Sequence, residues 1–304
     1  MIGLAVLAMV VAGMVLQTAW QVTRDNAGAS SPMTGATAGV VRPGETHKGR
    51  EDFTQPVDPA AEAATQTTFL DLSAITDTGR LQLINADHAV PDQNGMTNLV
   101  DAWPTVPVED QSMMLDATAL SSTEAMFSAA ESAGVGTLYL TDAYRSAATQ
   151  QELYDQAEDK SYVQTPGHSE HETGLAIDIG VVGMTEDTFT DTDAARWLAD
   201  NAWRFGFILR YPSDGQQSTG IAYESWHYRY VGLPHAWVCL SEHLTLEQYV
   251  ERLRRDGGQT VTLDGVDYTI TYVTPRDGKV GVPSEGNFTI SSDNTGGFIV
   301  TQWR

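Results

Sequence analysis

Residues 168–180 read HSEHETGLAIDIG. Alternate residues of a strand share a face. In the second half of this stretch Leu175, Ile177 and Ile179 therefore point one way, toward a core. Gly174, Ala176 and Asp178 point the other way. That second face carries a carboxylate and almost no bulk, which leaves room for an ion and a substrate. His171 lies just before the strand, where the turn through Glu172, Thr173 and Gly174 can swing its imidazole toward Asp178. His171–Glu172 resembles the start of a His-Glu-x-x-His helix, but Leu175 stands four residues beyond His171, so that motif is absent.

A zinc site needs a third ligand. YESWHYRYVG, residues 223–232, supplies His227 within an aromatic strand, with Glu224 three residues earlier. Two histidines, one aspartate and an open position for water form a catalytic zinc set. Glu224 is then placed to act as general base. Strict alternation would put Glu224 and His227 on opposite faces, so a bend or bulge near Ser225 is expected to bring them together.

Outward from these strands, the 304-residue chain reads as α+β. TLYLTD from Thr137 is expected as a strand. SSTEAMFSAAESAG is expected as a helix opened by a Ser121/Glu124 capping box and stopped at Gly134. TQQELYDQAEDK, DAARWLADNAWRFG and LTLEQYVERLRRDGG are expected as further helices, the last opened by Thr245. QTVTLDGVDYTITYV reads as two strands joined at Asp264–Gly265, and NFTISSDNTGGFIVTQW as a second pair. Residues 259–304 are thus expected as a small β appendage, either an accessory or a partner-binding module. Hydrophobic residues make up 41% of the chain, enough to bury a core over residues 69–250.

The net charge of −23 argues against nucleic acid as a partner, because phosphates would be repelled. One cysteine, Cys239, excludes an intrachain disulfide and reads as a small buried residue. Residues 1–16 are unbroken apolar sequence that residues 18–22 can extend, so residues 1–24 read as a membrane anchor, or a signal segment if cleaved. Residues 25–68 are rich in small and polar residues and are expected to be a flexible linker. His168 is expected at the mouth of the cleft, and His88, His235 and His243 to have no chemical role.

These motifs resemble the VanY-type D-alanyl-D-alanine carboxypeptidases, zinc peptidases of the bacterial cell wall. The Ser-x-His-x-x-Gly-x-Ala-x-Asp motif is met by Ser169, His171, Gly174, Ala176 and Asp178. The Tyr-Arg-Ser motif with its following Gln is met by Tyr144, Arg145, Ser146 and Gln150. The Glu-x-Trp-His segment is met by Glu224, Trp226 and His227, and GFILRYP at 206–212 is also similar. The resemblance implies a central antiparallel sheet flanked by helices, the zinc DD-peptidase (hedgehog/DD-peptidase-like) fold. It implies that one zinc ion is bound by His171, Asp178 and His227, with Glu224 as base and Arg145 as an active-site cation. Gln150, Ser169 and Tyr144 would help hold the substrate. The implied reaction removes the terminal D-alanine of a peptidoglycan stem peptide outside the cytoplasmic membrane. Related readings are an L,D-carboxypeptidase, a D,D-dipeptidase or a wall-peptide-binding zinc module without catalysis. Ser225 stands where the family commonly has proline, and the loop RYPSDGQQSTG is more acidic than the family's lysine-bearing loop.

Overall fold

The computed structural model describes residues 54–56, 67–91 and 98–304. Residues 1–24, expected as an anchor, lie outside them. None of the described helices is long and apolar enough to cross a membrane. Most of the expected linker also lies outside. Two parts of it do not: strand β1 (Thr54–Pro56) and the start of β2 (Thr67–Asp71) belong to sheets. Composition alone missed them because their partners lie more than two hundred residues away in sequence.

A two-stranded ribbon, β3 (Leu99–Asp101) with β4 (Met114–Asp116), leads into the helix Ala117–Ser132. That helix begins earlier than the Ser121/Glu124 capping box would place it. Asp116 is the cap, and its carboxylate accepts from the amides of Thr118 at 2.9 Å and Ala119 at 3.1 Å. Ala117 to Leu120 are competent helix residues, and a carboxylate at the positive end of the helix dipole holds them in the first turn.

The central sheet is antiparallel throughout, as expected. It contains β5 (Leu138–Asp142), β6 (Ala176–Val181), β7 (Phe207–Tyr211) and β8 (Glu224–Tyr230), in the order β5-β6-β8-β7. One face is covered by the helices Ala117–Ser132 and Asp193–Asn201. Leu140, Leu175, Ile177, Ile179, Phe207 and Tyr228 pack there against Met126, Phe127, Ala130 and Leu198, all buried. Each fully buried Leu, Ile or Phe contributes about 1.5–3 kcal/mol. The opposite face carries Ala176, Asp178 and His227.

The C-terminal strands are β9 (Gly258–Leu263), β10 (Val266–Val273), β11 (Lys279–Pro283), β12 (Asn287–Ser292) and β13 (Phe298–Trp303). β9 and β10 turn through Asp264 and Gly265, both at positive φ (51° and 78°), as a type I′ hairpin requires. The five-stranded sheet has the order β1-β9-β10-β13-β12, while β11 pairs with β2. Val261, Ile270 and Ile299 of this sheet share a core with Tyr249, Val250 and Leu253 of the helix Leu246–Asp256, and with Leu81, Leu83 and Ile208. The appendage is therefore continuous with the peptidase core, and the described residues belong to one compact unit.

Candidate metal centre

Three residues expected as ligands meet on the open face of the central sheet. Asp178 and His227 are direct cross-strand partners on β6 and β8. His227 Nδ1 lies 2.9 Å from Asp178 Oδ1. His171 Nε2 lies 3.2 Å from His227 Nδ1 and 3.4 Å from Asp178 Oδ1. Bonds of ~2.0–2.1 Å around a tetrahedral zinc place ligand atoms roughly 3.3–3.4 Å apart, so the donor set fits one such ion.

Each ligand is aimed by local structure. His171 sits in a one-turn helix, Glu170–Thr173, closed by Gly174 at φ 70°. A Cβ at Gly174 would stand 2.5 Å from Leu99 Cδ2, so only glycine allows both the turn and the approach of β3. His171 Nδ1 donates to the carbonyl of Ala143 at 2.6 Å, which leaves Nε2 as the ligand atom. The amide of Arg145 donates to His171 O at 3.2 Å, so the chain on either side of Tyr144 holds this residue. His227 uses Nδ1 toward the other ligands, and its Nε2 faces Glu170 Oε2 at 3.6 Å. At that distance the pair is an ion-pair contact rather than a hydrogen bond, and the buried carboxylate favours a proton on Nε2, which leaves Nδ1 for a metal.

The bulge expected in β8 is present. Leu209 pairs with Tyr228, yet Tyr211 pairs with Glu224, so three residues of β8 stand opposite Arg210 alone. This slip returns Glu224 to the side of His227, with Oε2 3.8 Å from Nδ1. Ser225, where proline is common in the family, is buried and its hydroxyl is tied to that of Thr190 at 2.8 Å.

Glu170 is the principal group that sequence reasoning did not assign. It is buried, and its Oε1 lies 2.8 Å from Arg210 Nε and 2.9 Å from Arg229 Nη1. Arg210 also grips Glu247 with two nitrogens, at 2.9 and 2.5 Å. Both arginines are fully buried within strands. Their presence in the otherwise apolar GFILRYP and YRYVG was the available signal, since a buried guanidinium must find a carboxylate.

The charges interlock. Burial raises the carboxyl of Asp178, but the imidazoles of His171 and His227 overcome this and hold it well below the usual range. Burial likewise works against the charge on Glu170, and Arg210, Arg229 and His227 outweigh it. His227 is opposed by burial and pushed up to about 9 by Asp178, Glu170 and Glu224. Without a metal the centre thus favours a proton on His227, where a cation is called for.

Arg145 is mostly buried, with Nε 3.4 Å from Asp142 Oδ2. The side chain of Gln150 is buried. Its Nε2 donates to Gln164 O at 2.7 Å, while its Oε1 has no hydrogen-bond partner. Ser169 is buried at the start of the His171 turn, its amide 3.4 Å from Glu172 Oε1. Tyr144 is half-buried and its amide donates to Met114 O at 3.0 Å. His168 is not among the ligands, for its Nδ1 donates to Asn85 O at 2.6 Å. His235 is buried between the hydroxyls of Tyr249 and Thr301, and Cys239 is buried with its thiol pushed up to about 12 by burial.

An antiparallel sheet that gathers two imidazoles and a carboxylate at one point, with a second carboxylate beside them, is the centre of a metallopeptidase. Residues 112–233 match the sequence model of the VanY family, D-alanyl-D-alanine carboxypeptidase. A D-alanyl-D-alanine carboxypeptidase of Enterococcus faecium is 33% identical over 233 residues, 73% of this chain and 75% of that one. The bifunctional D-Ala-D-Ala dipeptidase and D-Ala-D-Ala carboxypeptidase VanXYC of Enterococcus gallinarum is 37% identical over 186 residues, 57% of this chain and 94% of that one. The crystal structure of the vancomycin resistance D,D-dipeptidase VanXYg with a D-Ala-D-Ala phosphinate analogue matches with a TM-score of 0.66 at 29% identity. That match covers 79% of this chain and 99% of the other. The chain belongs to the VanY family of D-alanyl-D-alanine carboxypeptidases.

Proposed function

We propose that this protein is a zinc carboxypeptidase that removes the C-terminal D-alanine from peptidoglycan stem peptides, acting outside the cytoplasmic membrane. The observation that carries the reading is the convergence of His171 Nε2, Asp178 Oδ1 and His227 Nδ1, 2.9 to 3.4 Å from one another, with Glu224 beside them. One zinc ion held by these three atoms would polarise the scissile carbonyl and acidify the attacking water.

Glu224 would take a proton from the attacking water and hand it to the nitrogen of the leaving D-alanine. Its burial and its closeness to His227 keep it aimed at the ligand set. Glu170 holds the imidazole of His227 from behind, and Ala143 O does the same for His171. Arg145, braced by Asp142, presents positive charge to the peptide's terminal carboxylate or to the oxyanion formed during attack. Ser169, Tyr144 and Gln150 would help hold the peptide, Ser169 and Gln150 from buried positions beside the His171 turn and in the helix Ala147–Gln156. Residues 1–24 would tether the enzyme to the membrane, or release it if cleaved.

A second activity, hydrolysis of free D-Ala-D-Ala to two D-alanines, is favoured by one observation. The D,D-dipeptidase structure is matched over 99% of its length and the bifunctional relative over 94%. The test is product analysis by mass spectrometry. A pentapeptide stem ending in D-Ala-D-Ala, a tetrapeptide stem and free D-Ala-D-Ala are each incubated with the purified protein, with and without a chelator. Release of one D-alanine from the pentapeptide, abolished by the chelator and restored by zinc, is the expected result. An intact pentapeptide in the presence of zinc, or turnover indifferent to the chelator, would overturn the reading.

A further inference from the structure

The C-terminal sheet ends one of its hairpins against the peptidase site's own frame. The turn between β12 and β13 is tied by side-chain hydrogen bonds. Buried Asp293 accepts from the amides of Thr295 at 2.7 Å and Gly297 at 2.9 Å, and from the hydroxyl of Tyr272 at 2.7 Å. Asn294 follows in the left-handed region at φ 61°, which asparagine tolerates better than most residues. Its side-chain amide donates both protons outward, to Leu83 O at 2.9 Å and to Ala89 O at 2.7 Å. The amide of Leu83 donates back to Asp293 O at 3.1 Å. Residues 83–89 are thus pinched at both ends by one turn.

The far side of the same loop holds the chain that leads into His171. Asn85 O accepts from His168 Nδ1 at 2.6 Å, and the amide of Val90 donates to Gly167 O at 2.7 Å. Asn85 itself is buried, and its Nδ2 reaches Glu247 Oε1 at 3.2 Å, on the carboxylate that grips Arg210. Gly167 donates to Glu172 Oε1 at 2.7 Å, inside the turn that carries His171. His168 lies outside the cluster of His171, Asp178 and His227, and its ring nitrogen bonds this loop instead.

We propose that Asn294 is a positioning residue for the peptidase reaction, acting through residues 83–90 and His168 on the rim formed by residues 165–169. The C-terminal sheet is then a working part of the substrate cleft. The effect is on how well the peptide is held, because the three metal ligands are aimed by other groups. This rests on the carboxypeptidase reading for its kinetic arm alone.

Two variants of Asn294 test it in the full-length protein. Asn294→Gly keeps the backbone conformation and removes both donors. Asn294→Asp keeps the shape and turns an oxygen on the two carbonyls. Two lost hydrogen bonds should loosen the loop, and hydrogen exchange at Val90 and across residues 165–169 should quicken about tenfold. KM for a D-Ala-D-Ala-ended peptide should rise by about the same factor, with zinc content and kcat held. His168→Ala should do likewise. The double variant Asn294→Gly/His168→Ala should be no worse than the poorer single, as a shared path requires. Unchanged exchange at 165–169 in both Asn294 variants would overturn the proposal. So would a double variant whose KM rises by the product of the two single effects, or loss of zinc in step with the loss of binding. If the unaltered protein leaves the peptide intact, the carboxypeptidase reading falls and the exchange measurement still decides the role of Asn294.

Discussion

Replacing Glu170 by glutamine removes a negative charge from the point where two buried guanidinium groups meet. Arg210 would keep Glu247, which it binds with two nitrogens. Arg229 would not be so well served. Its Nη1 is 2.9 Å from Glu170, and its Nη2 has only the carbonyls of Gly79, Arg80 and Gln82, at 3.1 to 3.4 Å. Breaking a buried pair by removing one partner costs about 3–5 kcal/mol, because an uncompensated charge stays behind. The amide oxygen of glutamine still accepts a bond, which sets the expected loss near 3 kcal/mol. For a unit of this size each kcal/mol shifts the melting midpoint by about 2–4 °C, so a fall of roughly 6–12 °C is expected. The same change removes the carboxylate facing His227 Nε2, and loss of such a partner lowers metal affinity about 10–100-fold. Thermal unfolding and zinc competition with a chromogenic chelator measure the two effects on one preparation. A midpoint within about 2 °C of the unaltered protein, which is below about 1 kcal/mol, together with unchanged zinc affinity, would refute the account of Glu170.

Glu224→Ala should keep zinc bound and lower kcat about 10²–10⁴-fold, whereas His227→Ala should lose the metal itself; metal analysis beside rate measurements separates them. Ser225→Pro should leave kcat/KM equal or higher, since the ring fixes φ within the bulge, and should cost about 1 kcal/mol through the lost bond to Thr190. A tenfold or greater loss of activity would show that the bulge depends on the serine, on the order of a full hydrogen bond to the charged site. His235 is lowered from 6.5 to about 3 by burial and by nearby Arg80. Its neutral form therefore adds stability in full above pH 6.5, and this is lost as the pH falls toward 3. Metal-free protein should lose about 2 kcal/mol between pH 6.5 and pH 5 relative to His235→Asn, read by urea unfolding; parallel curves would contradict it.

Much of the centre was legible in the sequence because its signals are local. Asp178 stood on a strand whose other face was all Leu and Ile, and the spacing of Glu224 and His227 demanded a bulge that β8 contains. The Asp264–Gly265 turn was equally plain. The cap at Asp116 was missed because Ser121 and Glu124 formed a fair pattern inside a helix that had already begun. The strand at Thr67–Asp71 was hidden by distance, since its pairing with Lys279–Pro283 leaves no trace in its own composition. The roles of Glu170 and Asn294 were hidden likewise. Each depends on which residues the fold brings near, and only the stranded arginines 210 and 229 hinted at the first.

The pairing of early residues with late ones bears on the order in which the chain can fold. The amide of Leu81 waits for the hydroxyl of Ser291, and Asp77 for Ser292, both more than two hundred residues further on. A chain made from its N-terminus can assemble β5 to β8, and with them the ligand set, before those partners exist. The loop at 83–90, which meets His168, is secured only when the β12–β13 turn arrives. Contacts at such sequence separation form slowly, so pulse-labelled hydrogen exchange during refolding is expected to protect β6 and β8 before residues 83–90.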